Sequence, residues 1–358
     1  MKPAATRHAA ERSFGLMKIG ALSAAFVLTV QILLVTGAQA QSAGIPGPSY
    51  AEPLGIGLEG WPYPYPVQFM PLEVGGQRLR MAFMDVAPTG TPNGRAVVLL
   101  HGKNFDSSYW SVTIRALTAA GFRVVVPDQI GFNKSSKPDI EYSFDFLAAN
   151  TARLLDSLNI RDVDVVGHST GGMLAVRFAR TFAERVKRLV LEDPIGLEDY
   201  RLFIPPQTTE TLFEAERHST VEQYRAFIKR YFPVLPPDRY EPFVEWRARV
   251  GLSGEFDRYA MTVALTYQMI YRQPVRYEYR LLQMPVLLIV GEQDRTTPLR
   301  AYAPADVAGK MGNYPVMAQR ACSEAGDCRV MIMPGLGHVP HLEASDSFNA
   351  KVLDFLHF

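Results

Sequence analysis

The sequence predicts an α/β fold: a mostly parallel β-sheet flanked by helices, with an inserted helical cap. Three observations carry that prediction. Short apolar runs of strand length alternate with amphipathic runs of helix length from Val67 onward. Several of the short runs, such as "RAVVLLHG" and "PVLLIVGEQD", are apolar throughout, as strands covered by helices on both faces must be. The alternation is interrupted once, from Ile195 to Gln283, by 89 residues without a buried-strand run.

The N-terminal segment stands apart from that pattern. Lys2, Arg7, Arg12 and Lys18 precede an uncharged, largely apolar run from Ile19 to Ala40, which closes on Ala38-Gln39-Ala40. This is the layout of a secretory signal peptide cleaved after Ala40, and Met17-Lys18 would open a more compact version of it. The run is also just long enough to anchor the chain in a bilayer. Gly20, Gln31, Gly37 and Gln39 weaken it as a span, so the expected product is secreted or periplasmic. Residues 41–66 are rich in Pro and Gly, with prolines at 62, 64 and 66, and predict an extended arm outside the sheet.

The core is expected over 67–194 and 284–358. "VQFMPLEV" and "QRLRMAFMDV" flank Gly75-Gly76 and read as an antiparallel hairpin. "RAVVLLHG" is a buried strand, and Ser108 to Ala120 a helix closed by Gly121. "FRVVVPD" is the next strand. Ser143 to Leu158 is a helix with Phe144, Leu147, Thr151, Leu154, Leu155 and Leu158 on one face. Strand "VDVVG", helix Gly171–Arg180 and strand "VKRLVLED" follow. Past the insertion at 195–283 come strands "PVLLIVGEQD" and "CRVMIMPG" and a last helix over Ser345–Leu356. The insertion holds 16 aromatic residues, which lets some of them line a pocket while most form its own core. An insertion between sheet strands is placed to cover the sheet's carboxyl edge, where open α/β sheets bind ligands.

Charge and cysteine content narrow the function. Without residues 1–40 the chain carries 33 basic and 35 acidic side chains, so no basic excess points to nucleic acid or to an anionic membrane surface. The only cysteines, Cys322 and Cys328, sit close together in "ACSEAGDCRV". On an exported chain such a pair predicts one local disulfide across a loop, and two cysteines alone make a poor zinc site. There is no Walker loop, no dinucleotide-binding glycine motif after the first strand and no His-Glu-x-x-His pair, so no cofactor and no metal are called for. The expected partner is a small-molecule substrate, and nothing in the sequence sets an oligomeric state.

The chemistry gathers around "VDVVGHSTGGMLAVRFA". A strand running directly into Gly167-His168-Ser169-Thr170-Gly171 and then a helix is the context of a nucleophile elbow. The glycines admit a sharp turn without a Cβ clash, and the serine stands at a helix N-terminus, where developing negative charge is favoured. A serine needs a base. Of seven histidines, His338 and His341 follow a buried strand in "MPGLGHVPHLE". The base needs an acid to hold its tautomer, and Asp294 and Asp193 each end a strand.

With "LLHGKNFDSSYW", "VVVPDQIGFNKSSKP", "VVGHSTGGM", "LLIVGEQDRTTP" and "MPGLGHVPHLE" in this order, the chain resembles the α/β-hydrolase fold superfamily, in its serine hydrolase branch with a helical cap. The resemblance covers residues 67–358, the insertion least. It implies Ser169 as nucleophile, His338 as base and Asp294 as acid, with Asp193 the rival acid and His341 at a helix start. It implies an oxyanion hole from the backbone N–H groups of Thr170 and Lys103, with Asn104 the less favoured second donor. Lys103 departs from the superfamily, which more often has a small or apolar residue there; its side chain points either to the cleft or to solvent. Asp128 organises the turn after its strand, where Asn133 replaces the usual glycine, and His168 packs inside beside the elbow.

The expected function is therefore an exported serine hydrolase of the carboxylesterase kind, cleaving an ester or related acyl bond of a small, apolar substrate. Serine as nucleophile argues against a dehalogenase or epoxide hydrolase. The same triad also serves cofactor-free haloperoxidases and carbon–carbon bond hydrolases. A non-catalytic binding protein on this scaffold would have no need of all three residues.

Overall fold

The computed structural model describes residues 49–357, so the expected signal peptide at 1–40 and the first part of the arm lie outside the described residues. β1 (Val67–Val74) and β2 (Gln77–Val86) form the predicted hairpin. Gly75 and Gly76 both take positive φ at its turn, as a two-residue loop of matching twist requires. β3 (Ala96–Leu100) leads through a 3-10 turn at Ser107–Trp110 into α1 (Ser111–Ala119), so the predicted helix begins one turn late. β4 (Arg123–Pro127), α2 (Phe144–Ser157), β5 (Val163–His168), α3 (Thr170–Thr181) and β6 (Val186–Glu192) follow. α2 starts where the Ser143 hydroxyl accepts the Phe146 N–H, with Asp145 in the first turn favouring the helix dipole.

Four helices occupy the predicted insertion: α4 (Thr209–Arg217), α5 (Val221–Lys229), α6 (Pro237–Val250) and α7 (Phe256–Arg272). The sheet then resumes with β7 (Val286–Gly291), followed by α8 (Ala305–Ala308), α9 (Tyr314–Glu324), β8 (Cys328–Met333), α10 (Pro340–Glu343) and α11 (Ser345–His357). The eight strands lie in the order β1-β2-β4-β3-β5-β6-β7-β8. β2 is antiparallel to β1 and β4, and the other neighbours are parallel.

β3, β5 and β7 are buried along their whole length, and strand alternation divides them between two cores. Val98, Leu100, Val165 and Leu288 face α2, α3 and α9, whereas Val97, Leu99, Val166 and Leu287 face α1 and α11. At about 1.5–3 kcal/mol for each large apolar side chain, this two-sided burial is the main force holding the sheet. The arm does not pair with the sheet over residues 49–66. It packs Leu54, Ile56 and Leu58 against Trp246 and Val250 of α6, and Lys134 Nζ donates to the carbonyls of Leu58 and Trp61.

The cysteines correct one expectation. They are joined as a disulfide, but Cys322 lies in the last turns of α9 rather than in a loop, and Cys328 opens β8. The bond thus ties a helix to the strand that runs toward His338. No helix among the described residues is long and apolar enough to cross a membrane.

Candidate active site

β5 ends at His168, and the chain reverses into α3 at Ser169, which holds φ +56° and ψ −118°. A side-chain-bearing residue in that region costs about 1–3 kcal/mol, so neighbouring bonds must fix it. The Ser169 N–H donates to the Glu192 carbonyl at 3.0 Å, and its own carbonyl accepts from Gly172 at 2.9 Å. The positive φ falls on the serine itself, not on the glycines, which corrects the sequence reading of how the turn is made. The glycines serve close approach. A Cβ on Gly167 would lie 2.4 Å from the Gly171 carbonyl oxygen, and one on Gly171 would lie 2.1 Å from that of Leu100.

The structure brings Ser169, His338 and Asp294 into one hydrogen-bonded line. His338 Nε2 lies 2.9 Å from Ser169 Oγ, and His338 Nδ1 lies 2.7 Å from Asp294 Oδ2. A carboxylate can only accept, so the proton sits on Nδ1 and Nε2 is free to accept the serine hydroxyl. All three residues are buried. The backbone of His338 is clamped as well: its N–H donates to the Tyr231 carbonyl at 2.9 Å, and its carbonyl accepts from His168 Nε2 at 2.8 Å. Burial pushes the Asp294 carboxyl up, but the charge and hydrogen bond of His338, helped by the Thr296 N–H, outweigh it and hold Asp294 below the usual carboxylate range.

Asp193, the rival acid, is beside Asp294 rather than in its place. Its backbone holds φ +37°, and its two oxygens accept the Gly291 N–H at 3.0 and 3.2 Å. Burial and then the negative charges of Asp294 and Glu192 raise it well above the usual range, and it shares a hydrogen bond with Asp294. Of the two carboxyls Asp193 is therefore the one that holds a proton more tightly, because burial and the neighbouring negative charges oppose its ionisation. Ligand atoms of Asp193, Asp294 and His338 lie within 4.8 Å of one another, a spread compatible with a metal. Two ligands on one tetrahedral ion stand about 3.4 Å apart. The 2.7 Å separation of Nδ1 and Oδ2 instead fits a shared proton.

A second layer of polar groups supports this line. Gly102 N–H donates to Tyr109 Oη, Tyr109 donates to His168 Nδ1, and His168 Nε2–H reaches the His338 carbonyl. Burial lowers His168 to about 3, which keeps it the neutral imidazole this chain requires. His341, in α10, pairs with Glu192 through its backbone N–H at 2.7 Å and its Nδ1 at 2.8 Å. Burial pushes Glu192 up to about 7 and His341 well below its ordinary value. Sequence reasoning missed Tyr109 and Glu192. The available signal for Glu192 was an acidic residue closing the apolar strand "LVLE".

The remaining expected residues also find places. Lys103 and Thr170 line the same cavity as Ser169. Thr170 is the first residue of α3, where a helix leaves its N–H without an intrahelical acceptor. The Lys103 side chain turns to the cleft and not to solvent: Nζ donates to Thr266 Oγ1 at 2.5 Å and lies 4.3 Å from the Tyr267 ring centroid. Burial brings Lys103 down to about 7, against the pull of Glu216. Asn104 donates to Tyr231 Oη at 3.0 Å. Asp128 accepts from Ser107, Asn133, Lys134 and Tyr63, and Asn133 holds φ +48°, a conformation asparagine tolerates in place of glycine.

Ser169 opens into a cavity of about 500 Å³ whose walls include Phe227, Arg230, Tyr231, Tyr267 and Ile270 from the helical insertion. A second chamber of about 370 Å³ adjoins it, lined by Tyr224, Trp246 and Tyr259 among others. Part of the aromatic content of the insertion therefore faces a cavity, while Tyr240 and Phe243 are core.

Comparison with known proteins agrees with this architecture. The family model for the alpha/beta hydrolase fold matches residues 95–308. The crystal structure of a probable hydrolytic enzyme from Pseudomonas aeruginosa PAO1 superimposes with a TM-score of 0.83 at 39% identity, covering 86% of this chain and 99% of that one. The 2-hydroxy-6-oxo-6-phenylhexa-2,4-dienoate hydrolase of Burkholderia cepacia is 28% identical over 74% of this chain and 88% of its own length. A non-heme haloperoxidase of Rhodococcus erythropolis is 24% identical over 74% of this chain and 93% of its own length.

Proposed function

Because the chain belongs to the α/β-hydrolase fold family, we propose that it is an exported serine hydrolase cleaving an ester or related acyl bond of a small, largely apolar substrate. The observation that carries this reading is the contact of His338 Nε2 with Ser169 Oγ at 2.9 Å, with Asp294 on the opposite ring nitrogen. In the reaction His338 takes the Ser169 proton as Oγ attacks the carbonyl carbon. The backbone N–H groups of Thr170 and Lys103 stabilise the oxyanion, a contribution of about 3–4 kcal/mol for each donor in well-studied cases. Asp294 stabilises the imidazolium, which then protonates the leaving alcohol. Water, activated by His338, hydrolyses the acyl-serine and returns the enzyme.

The helical insertion acts as a cap that selects what reaches Ser169. The Cys322–Cys328 disulfide supports export, as does the signal-peptide layout of residues 1–40. The haloperoxidase relative favours a second reading, in which hydrogen peroxide replaces water in the deacylation and releases a peracid.

Hydrolysis of 4-nitrophenyl butyrate, with and without hydrogen peroxide, tests both. Wild type is expected to release 4-nitrophenol and Ser169→Ala to fall to the background rate. Equal turnover by the two would remove Ser169 from the chemistry. Peracid formation at a rate above hydrolysis would favour the second reading.

A further inference from the structure

The cavity that holds Ser169 carries more positive charge than acyl transfer needs. Lys103, Arg230, Arg295 and Arg300 line it, and no Asp or Glu does. Lys103, Arg230 and Arg300 also line the adjoining chamber, where the one lining carboxylate, Glu216, is paired with Arg247. At two other part-buried positions an arginine is met by a carboxylate, Arg177 by Glu278 and Arg225 by Glu241. These four cations have no such partner among the described residues.

Two of the four have structural work. Arg295 donates to the carbonyls of Glu292 and Asp294, and Arg300 donates to those of Arg295 and Met311, which ties together the loop after β7. Lys103 and Arg230 are different. Lys103 Nζ meets only neutral oxygens, Thr266 Oγ1 at 2.5 Å and the Val263 carbonyl at 3.2 Å, which leaves one N–H of its three. Arg230 is exposed where it lines the cavity: it rests over the Phe227 ring with Cζ 5.4 Å from the centroid, and none of its side-chain donors meets a protein acceptor among the described residues, so they face solvent. A half-buried ammonium without a carboxylate at ion-pair distance is unfavourable, consistent with the lowering of Lys103 to about 7. A guanidinium with free paired donors is suited to bidentate recognition of a planar anion.

We propose that the substrate is an ester bearing a carboxylate, which Lys103 and Arg230 hold where the two chambers meet while the scissile carbonyl lies against Ser169. The apolar remainder occupies the chamber lined by Tyr224, Trp246 and Tyr259. This deepens the serine-hydrolase reading and rests on it.

Two matched pairs of esters test the proposal. 4-Nitrophenyl valerate and mono-4-nitrophenyl glutarate place the charge on the acyl side; phenyl butyrate and 4-carboxyphenyl butyrate place it on the leaving side. In at least one pair the anionic ester is expected to exceed its neutral partner in kcat/KM by about tenfold, after correction for the intrinsic reactivity of the two esters measured in hydroxide. Arg230→Gln and Lys103→Met should each reduce that ratio toward one. Neutral esters turned over as well as, or better than, the anionic ones in both pairs would overturn the anion site and leave the hydrolase reading intact. An anionic preference that survives in both variants would overturn it too. No turnover of any of the four would overturn the ester-hydrolase reading, and this proposal with it.

Discussion

On the sheet side of the cleft, Asp193, Asp294, Glu192, His168, His338 and His341 are all buried and each is bonded to a neighbour. On the insertion side, Lys103 and Arg230 line a cavity that offers them no carboxylate. The first region is densely bonded: Asp294, Ser169, the Tyr231 carbonyl and His168 hold His338 in place, and His341 pairs with Glu192 beside it. The second is left open, with charge and aromatic surface awaiting a ligand. On the proposed reading, reactivity and selectivity are carried by different groups, Lys103 contributing its backbone N–H to the first and its side chain to the second. A change on the sheet side should alter turnover for every substrate, and a change on the insertion side should alter which substrate is preferred.

The largest expected break on the sheet side is His338→Gln, which removes the base while leaving the pocket in place. Its kcat on a neutral ester should fall by about 10⁴-fold or more, with residual activity from the oxyanion hole. Retention of a tenth of wild-type activity would remove His338 from the mechanism.

The two neighbouring carboxylates give the next test. Asp294→Asn should lower kcat by about 10³–10⁴-fold, because an amide neither stabilises the imidazolium nor fixes the tautomer. Asp193→Asn should stay within a few-fold of wild type, since an amide keeps an acceptor for the Gly291 N–H and a donor for Asp294. Equal losses in the two variants, or a shifted pH profile in Asp193→Asn alone, would show that Asp193 is ionised.

The insertion side predicts a pH effect. The groups sharing the cavity walls near Lys103 are Glu216 from α4, Tyr267 from α7, Arg230 beyond α5 and Arg300 from the loop after β7. A lysine lowered to about 7 is charged below that pH and neutral above it. The ratio of kcat/KM for an anionic ester to that for its neutral partner cancels any pH dependence that the two substrates share. It should be highest below pH 7 and decline above it by several-fold. A flat ratio from pH 6 to 9 would separate Lys103 from anion recognition.

The smallest effect concerns the disulfide. Closing so short a loop contributes about 2 kcal/mol by chain entropy. Replacing both Cys322 and Cys328 with Ser should lower stability by about that amount in denaturant titration. Activity should change little in buffer, unless the α9–β8 tie also positions His338.

The sheet side was legible in the sequence because its signals are local. Buried strands of five to seven residues, a glycine-framed serine and a histidine after a strand all sit within short windows. Asp294 was preferred to Asp193 from its place in the chain order, but the support that Asp193 gives to Asp294 was not legible, since it depends on the burial of both carboxyls. Helix α9 has no counterpart among the expected elements, and its sequence opens on Gly312 and Pro315, two residues that ordinarily mark a break. Pro315 instead occupies the helix's first turn, where proline is tolerated, and Tyr314, Ala318 and Ala321 mark a buried face. The insertion side was least legible. The direction of Lys103 is set by Thr266 and Tyr267, more than 160 residues away, and no local pattern encodes it.

The central claim is that Ser169 is an activated nucleophile. Incubation of the folded protein with a fluorophosphonate probe, followed by intact mass and peptide mapping, tests it most directly. The account predicts one adduct per chain, on Ser169, absent in Ser169→Ala and slowed strongly in His338→Gln. An unlabelled wild type that is folded by circular dichroism, or an adduct on another residue, would contradict it.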